Sequence, residues 1–228
     1  MSIAIRAGDN FVVEIDFDRS EVYPPSHYAK NFVRILSEQP LSGMTVLDAG
    51  CGTGVLGIAA AKLGATVTCS DLNPGAIRWA EINAEKNNVS IHCVQSEGID
   101  EFVGRSKFDL VVCNAPSNPG TYNPVVTPRD NGPDGRQFLD SVLVNAPKIL
   151  HRNGRLLSCS NSEQDWNTTR DILNTYWASY RIVADLDEDF SGLDQFSEDQ
   201  LKAWVQQGHC WTEGDVTVHN VRYFFAYH

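Results

Sequence analysis

The chain has 228 residues, 42% of them hydrophobic, with 29 aspartates and glutamates against 18 lysines and arginines. That length supports a full core, and the formal charge of −11 argues against a nucleic-acid partner, because phosphate binding needs a concentrated cationic surface. No apolar stretch reaches the length of a membrane span and the N-terminus has no signal-peptide pattern, so the expectation is one cytoplasmic domain over residues 1–228. Cys69, Cys93, Cys113 and Cys159 lie inside apolar runs, where free cysteine packs as a small hydrophobe. No cysteine pair has zinc-site spacing and the histidines are scattered, so no metal is expected.

Residues 1–43 comprise N-terminal strands and a lead-in helix. Residues 3–18 alternate loosely, predicting a hairpin or edge strand outside the main sheet. The run EVYPPSHYAKNFVRIL then places two prolines before an amphipathic helix with Phe32, Val33, Ile35 and Leu36 as its apolar stripe. Ser26, His27 and Tyr28 at its start either line a ligand site or serve only to begin the helix.

Residues 44–54, MTVLDAGCGTG, organise the rest. An aliphatic strand breaks into Gly50, Gly52 and Gly54 and opens directly into the alanine-rich helix VLGIAAAKLGA. A strand that ends in glycines and starts a helix makes a ligand-binding turn, with free N–H groups pointing back into it. Gly52, Gly54 and Gly57 fit the dinucleotide pattern G-x-G-x-x-G, which leaves a nicotinamide oxidoreductase open. Asp48, however, precedes the glycines, and a carboxylate there suits a cationic or hydroxyl-bearing ligand better than a pyrophosphate. The run VLDAGCGTG resembles motif I of the class I methyltransferases, which bind S-adenosylmethionine. The resemblance implies that Asp48, Gly50, Cys51, Gly52 and Gly54 hold the methionine end of that cofactor; read from composition alone, Cys51 is a packing residue.

The next strand, ATVTCSD, ends in Asp71, and LNPGAIRWAEINAEKNN follows as a helix with Ile77, Ala80, Ile82 and Ala84 on one side. A carboxylate at that strand end accepts ribose hydroxyls, whereas Asn73 is better placed to cap the helix. Leu72 would accompany Asp71 at the cofactor. Strand VSIHCVQS ends at Ser96, and Glu97 follows where the adenine of a nucleoside cofactor would lie, with a solvated loop charge as the alternative. The run FDLVVCNAP reads as a central strand buried on both faces and delivers Asn114 to the carboxyl edge.

There Asn114, Ala115, Pro116 and Ser117 resemble the Asn-Pro-Pro-aromatic motif of nitrogen-directed methyltransferases. Asn114 and the Ala115 carbonyl would accept hydrogens of the attacking nitrogen, and Pro116 would stiffen the turn. Residues 20–162 together look like HemK-type glutamine methyltransferases. Ala115 and Ser117 depart from the motif, and no separate helical domain precedes the fold, so a small-molecule or protein nitrogen is expected rather than one fixed substrate. Residues 116–135 hold five of the ten prolines and read as a lid or a solvated loop, with Tyr122, Arg129 and Asp130 as candidate substrate contacts beside His27 and Tyr28.

The fifth strand, a helix from about residue 163 to 177, and the strand YRIVADLD follow. Between Asp185 and Asp199 stand seven carboxylates and no lysine or arginine, read as a solvated acidic face within an insertion at 188–215. A helix capped by Ser197 and a last strand VTVHNVRYFFAYH close the chain. The fold class expected is α/β, a Rossmann-like seven-stranded mixed sheet with its last strand antiparallel. The reaction expected is methyl transfer from S-adenosylmethionine to nitrogen; an oxygen-directed small-molecule methyltransferase and a non-catalytic binding subunit are the alternatives.

Overall fold

The computed structural model describes residues 1–117, 131–189 and 198–228. Strands β1 (Ser2–Ala7) and β2 (Phe11–Asp16) pair as an antiparallel hairpin outside the main sheet, as the alternation predicted. Helix α1 (Tyr28–Ser37) follows and buries all four residues of the predicted stripe. The main sheet begins with β3 (Thr45–Ala49), crosses over through α2 (Val55–Lys62) to β4 (Thr66–Asp71), and continues through α3 (Pro74–Lys86) to β5 (His92–Gln95). Strand β6 (Phe108–Cys113) lies on the other side of β3, then α4 (Gln137–Ile149), β7 (Leu150–Asn161), α5 (Trp166–Tyr176) and β8 (Ser179–Asp189). Helix α6 (Glu198–Gln206) and the short β9 (Trp211–Glu213) precede β10 (Val216–Tyr227).

The strand order is β5-β4-β3-β6-β7-β10-β8, parallel up to β7, with β10 antiparallel to both β7 and β8. The seven predicted strands are present; the eighth, β9, pairs with β10 from within the predicted insertion. Alternate residues of the central strands enter opposite cores. Val46, Leu110, Tyr223 and Phe225 pack with α1, α2 and α3, while Leu47, Val111, Phe224 and Ala226 pack with α4 and α5. Burial on both faces explains why β3, β6 and β10 read as nearly unbroken apolar runs.

One expectation for α3 needs correcting. Ile82 is 39% exposed, and the inward position beside it is Asn83, fully buried. Asn83 Oδ1 accepts the Asp16 N–H at 2.7 Å and its Nδ2 donates to the carbonyls of Asp16 and Thr53, both at 2.9 Å. One turn later Asn87 repeats the pattern, accepting from the Glu14 N–H at 3.0 Å and donating to the Glu14 carbonyl at 2.6 Å. The two amides thus bond alternate residues of β2 as a neighbouring strand would, and join the hairpin to the turn at Thr53. Buried polar groups on a helix are tolerated when each finds such partners.

The predicted helix from about 163 begins later. Residues Ser162–Gln164 form a short 3₁₀ turn, and Asp165 caps α5 by accepting from the Asn167 and Thr168 N–H groups. Arg136 is buried just before α4. Its guanidinium donates to the Gln164 carbonyl, to Thr169 Oγ1 at 3.0 Å and to Asp140 at 2.6 Å, tying α4 to α5. Among the described residues no helix is long and apolar enough to cross a membrane.

Candidate functional site

Strand β3 lies between β4 and β6, which carry the sheet in opposite directions. The crevice outside the carboxyl ends of such strands is where open α/β sheets take ligands. Beyond β3, Gly50, Gly52 and Gly54 have φ of +71°, +52° and +83°, a region that side chains with a Cβ rarely adopt. At Gly54 a Cβ would lie 3.0 Å from Ala80 of α3, whereas at Gly52 it would meet nothing within 4 Å. Packing therefore requires the first glycine, and the second leaves open space over the turn.

Five N–H groups at this turn and the start of α2 are already committed. Gly50 and Cys51 donate to the Ser70 carbonyl at 2.8 and 2.9 Å, and Gly54 donates to Cys51 at 2.8 Å. Gly52 donates to Asp71 Oδ2 at 2.8 Å, and Gly57, in the first turn of α2, donates to Asp48 Oδ2 at 2.7 Å. A pyrophosphate at the turn would also meet the buried Asp48 carboxylate and that of Asp71, which disfavours the nicotinamide alternative. Gly57 has its own cause: a Cβ there would fall 2.4 Å from Cys69 Sγ, so α2 could not lie this close to β4.

Asp48 is 1% exposed and sits beneath the turn rather than on its rim. Burial pushes its carboxyl up to about 7; the Gly57 N–H opposes that shift and the neighbouring Asp71 adds to it. Asp71 is half-buried and also raised by burial, against the N–H groups of Asn73, Gly52 and Leu72. Among the described residues neither carboxylate is paired with a lysine or arginine. Asn73 caps α3 through the Gly75 N–H at 2.8 Å, which leaves Asp71 to the turn. Cys51 is buried, and its thiol is pushed up to about 12, so it packs in the turn as an inert thiol.

Leu72 is half-buried beside Asp71. Ser96 is buried and its hydroxyl donates to the Gly98 carbonyl at 2.7 Å, within its own loop. Glu97 is exposed, and its N–H is held by Glu101 Oε1 at 2.7 Å. At the end of β6, Asn114 is half-buried and its Nδ2 donates to Ser26 Oγ at 2.7 Å. Ala115 is buried, with Pro116 and Ser117 half-buried after it. Tyr122, Arg129 and Asp130 lie outside the described residues.

His27 and Tyr28 join a group that the sequence reading missed. Tyr28 is buried, with its hydroxyl 3.3 Å from His219 Nε2 and 3.4 Å from Asn161 Nδ2. Desolvation raises the Tyr28 phenol well above its ordinary value, and Glu163 adds to the shift. His27 Nε2 lies 3.1 Å from Glu188 Oε2, and His219 Nδ1 lies 2.8 Å from Glu163 Oε1. The signal was available only through register: β8 and β10 place Glu188 opposite His219, turning one member of the acidic run inward.

The comparisons agree with this geometry. The family described as ribosomal protein L11 methyltransferase (PrmA) matches residues 29–119. A protein of Methanocaldococcus jannaschii, provisionally named a protein N5-glutamine methyltransferase, is 33% identical over 144 residues, covering 59% of this chain and 69% of that protein. The ribosomal protein L11 methyltransferase of Cupriavidus metallidurans is 41% identical over 103 residues, covering 45% of this chain and 33% of its own length. The chain thus spans about a third of the length of that relative. Among solved structures, the Thermus thermophilus 16S rRNA N2 G1207 methyltransferase in complex with AdoMet and guanosine superposes with a TM-score of 0.65 at 15% identity, over 100% of this chain and 50% of that one. A ribosomal protein L11 methylase of Lactobacillus delbrueckii superposes with a TM-score of 0.54 at 18% identity, over 88% of this chain and 80% of that one.

The fold and its glycine turn define a Rossmann-like methyltransferase. The chain belongs to the class I S-adenosylmethionine-dependent methyltransferases, and S-adenosylmethionine is its cofactor. The residues fit that group on chemical grounds: two desolvated carboxylates, without a cationic partner among the described residues, flank a turn with open space above Gly52. A ligand bearing a sulfonium, an ammonium and ribose hydroxyls complements them.

Proposed function

We propose that this chain methylates a nitrogen of a protein side chain, with an amine favoured over a planar amide. The observation that carries the proposal is Asn114. Its Nδ2 is engaged by Ser26 Oγ at 2.7 Å, which turns Oδ1 the other way as a fixed acceptor at the carboxyl edge, beside the cofactor turn. A nitrogen nucleophile carries hydrogens that need acceptors while its lone pair is aimed, and Asn114 Oδ1 with the Ala115 carbonyl supplies them.

S-adenosylmethionine, when bound, offers an electrophilic methyl group on sulfur. The chain's own residues orient the reactants. Asp48 fixes the turn through Gly57 and supplies negative charge beneath the methionine end. Asp71 accepts the ribose hydroxyls, exchanging its bond from Gly52 or sharing it. Leu72, Ser96 and Glu97 border the adenine side. Pro116 restricts the backbone that presents the nucleophile. Positioning of this kind lowers a bimolecular barrier by about 7–11 kcal/mol.

The names of the relatives support a protein substrate, and the resemblance to HemK-type enzymes supports nitrogen as the nucleophile. Ser117 favours an amine, since it presents no ring on which a planar amide would stack. The test is kinetic. Asn114→Ala should lower kcat about 10²-fold while leaving the Kd for S-adenosylmethionine within about threefold; equal losses in both would remove Asn114 from the acceptor role.

A further inference from the structure

We propose that His27, Glu188 and His219 form a binding site for a divalent transition metal of the zinc class. The nitrogen and oxygen ligand atoms of these three side chains all lie within 4.8 Å of one another. They come from the start of α1, the end of β8 and the beginning of β10, so the topology brings them to the carboxyl edge of the sheet.

Outer partners hold two of the three ligands in place. Glu163 Oε1 engages His219 Nδ1 at 2.8 Å, which leaves Nε2 as the ligand atom; its neighbour there is the Tyr28 hydroxyl at 3.3 Å, which an ion would displace. Carboxylate support of this kind fixes ring orientation and raises ligand basicity at metal-binding histidines. Cys210 Sγ in turn donates to the same Glu163 oxygen at 3.3 Å. On Glu188, Oε1 accepts from Asn31 Nδ2 at 2.8 Å and Tyr223 Oη at 3.2 Å, leaving Oε2 directed at His27. That last contact is short but poorly aligned: His27 Nε2 is 3.1 Å from Glu188 Oε2, yet buried with no hydrogen-bond partner. Two ligand atoms that face each other off the hydrogen-bond line are suited to a shared ion.

Charge points the same way. Glu163 and Glu188 have side chains only 5% and 15% exposed, and among the described residues their ionic contacts are with histidines alone. Two imidazole nitrogens with one carboxylate oxygen are borderline ligands that select zinc-like ions over calcium or magnesium. Bonds of about 2.0–2.2 Å to a common tetrahedral centre put ligand atoms roughly 3.4 Å apart. The His27–Glu188 pair is already near that spacing, so closure needs a shift on the order of 1 Å, for which half-exposed His27 is the mobile member. A bound ion would fix Ser26 and its partner Asn114, because Ser26 adjoins His27. The site does not depend on which acceptor the enzyme methylates.

The experiment uses the full chain, stripped with chelator and titrated with Zn²⁺ and with Co²⁺ by calorimetry and visible absorption. The expected result is one ion per chain, the strong visible bands of four-coordinate Co²⁺ without thiolate charge transfer, and a Tm rise of roughly 5–10 °C at about a hundredfold excess over Kd. His27→Ala and Glu188→Gln should each weaken binding at least tenfold, and Glu163→Gln about 10–100-fold. Absence of stoichiometric binding by the wild-type chain overturns the proposal. Thiolate bands in the wild-type Co²⁺ spectrum, or binding unchanged in both His27→Ala and Glu188→Gln, overturn it as well by assigning the ion to cysteines.

Discussion

Replacing Asp48 with asparagine isolates the cost of keeping a carboxylate under the cofactor turn. Asparagine preserves the shape and the acceptor oxygen for the Gly57 N–H but removes the ionisable group. In the folded chain burial raises Asp48 from its ordinary 3.8 to about 7. The unfolded chain therefore ionises first, so this group's stabilisation is complete below about pH 4 and is lost as pH rises towards 7. Each unit corresponds to about 1.36 kcal/mol, so the whole difference is on the order of 4 kcal/mol, and about 2 kcal/mol falls between pH 5.5 and 8. Urea unfolding of both proteins across that window should show Asp48→Asn gaining on wild type as pH rises, by about 2 kcal/mol. A difference that stays flat with pH, or that shrinks, would refute the claim that Asp48 is desolvated without a cation. Cofactor affinity of the wild type should rise over the same window, since a cationic ligand selects the ionised carboxylate, and the asparagine variant should lose that dependence.

Three further outcomes follow from the packing of the site. Asn83→Ala removes the partners of the Asp16 N–H and of two carbonyls in a fully buried position, and should cost about 3 kcal/mol in thermal or urea unfolding. Gly54→Ala places a Cβ 3.0 Å from Ala80 at a φ of +83°, so it should lower Tm and weaken S-adenosylmethionine binding together, readable by differential scanning fluorimetry and calorimetry. In the same thermal assay S-adenosylmethionine should raise Tm while NADH leaves it unchanged, because Asp48 and Asp71 set carboxylates at the turn where a pyrophosphate would lie.

The sequence was most informative where one local cause dominates. Strands β3, β6 and β10 announce themselves by apolar runs because both faces are buried, and the glycine turn by positive φ that other residues resist. Asn73 could be recognised as a cap because capping is a relation between neighbours two residues apart. Asn83 was hidden, since its partners on β2 lie 67 residues away and helical spacing alone favoured Ile82 as the inward residue. The group around His27 was hidden for the same reason. Glu188 belongs to a run of carboxylates whose other described members are exposed, and only the pairing of β8 with β10 sets it against His219. Asp48 was read from its position as a carboxylate at the turn; its depth beneath the turn comes from α2 closing over it, which Gly57 permits.

Transfer of a methyl group to a protein nitrogen is tested most directly by following labelled S-adenosylmethionine. Purified protein and labelled cofactor are added to an extract of the source cells, and the product is divided into protein, RNA and small-molecule fractions. Label is expected in the protein fraction and should resist mild alkali, as N-methyl groups do and methyl esters do not, and Asn114→Ala should abolish it. Label confined to RNA or small molecules, or released from protein by mild alkali, would contradict transfer to a protein nitrogen.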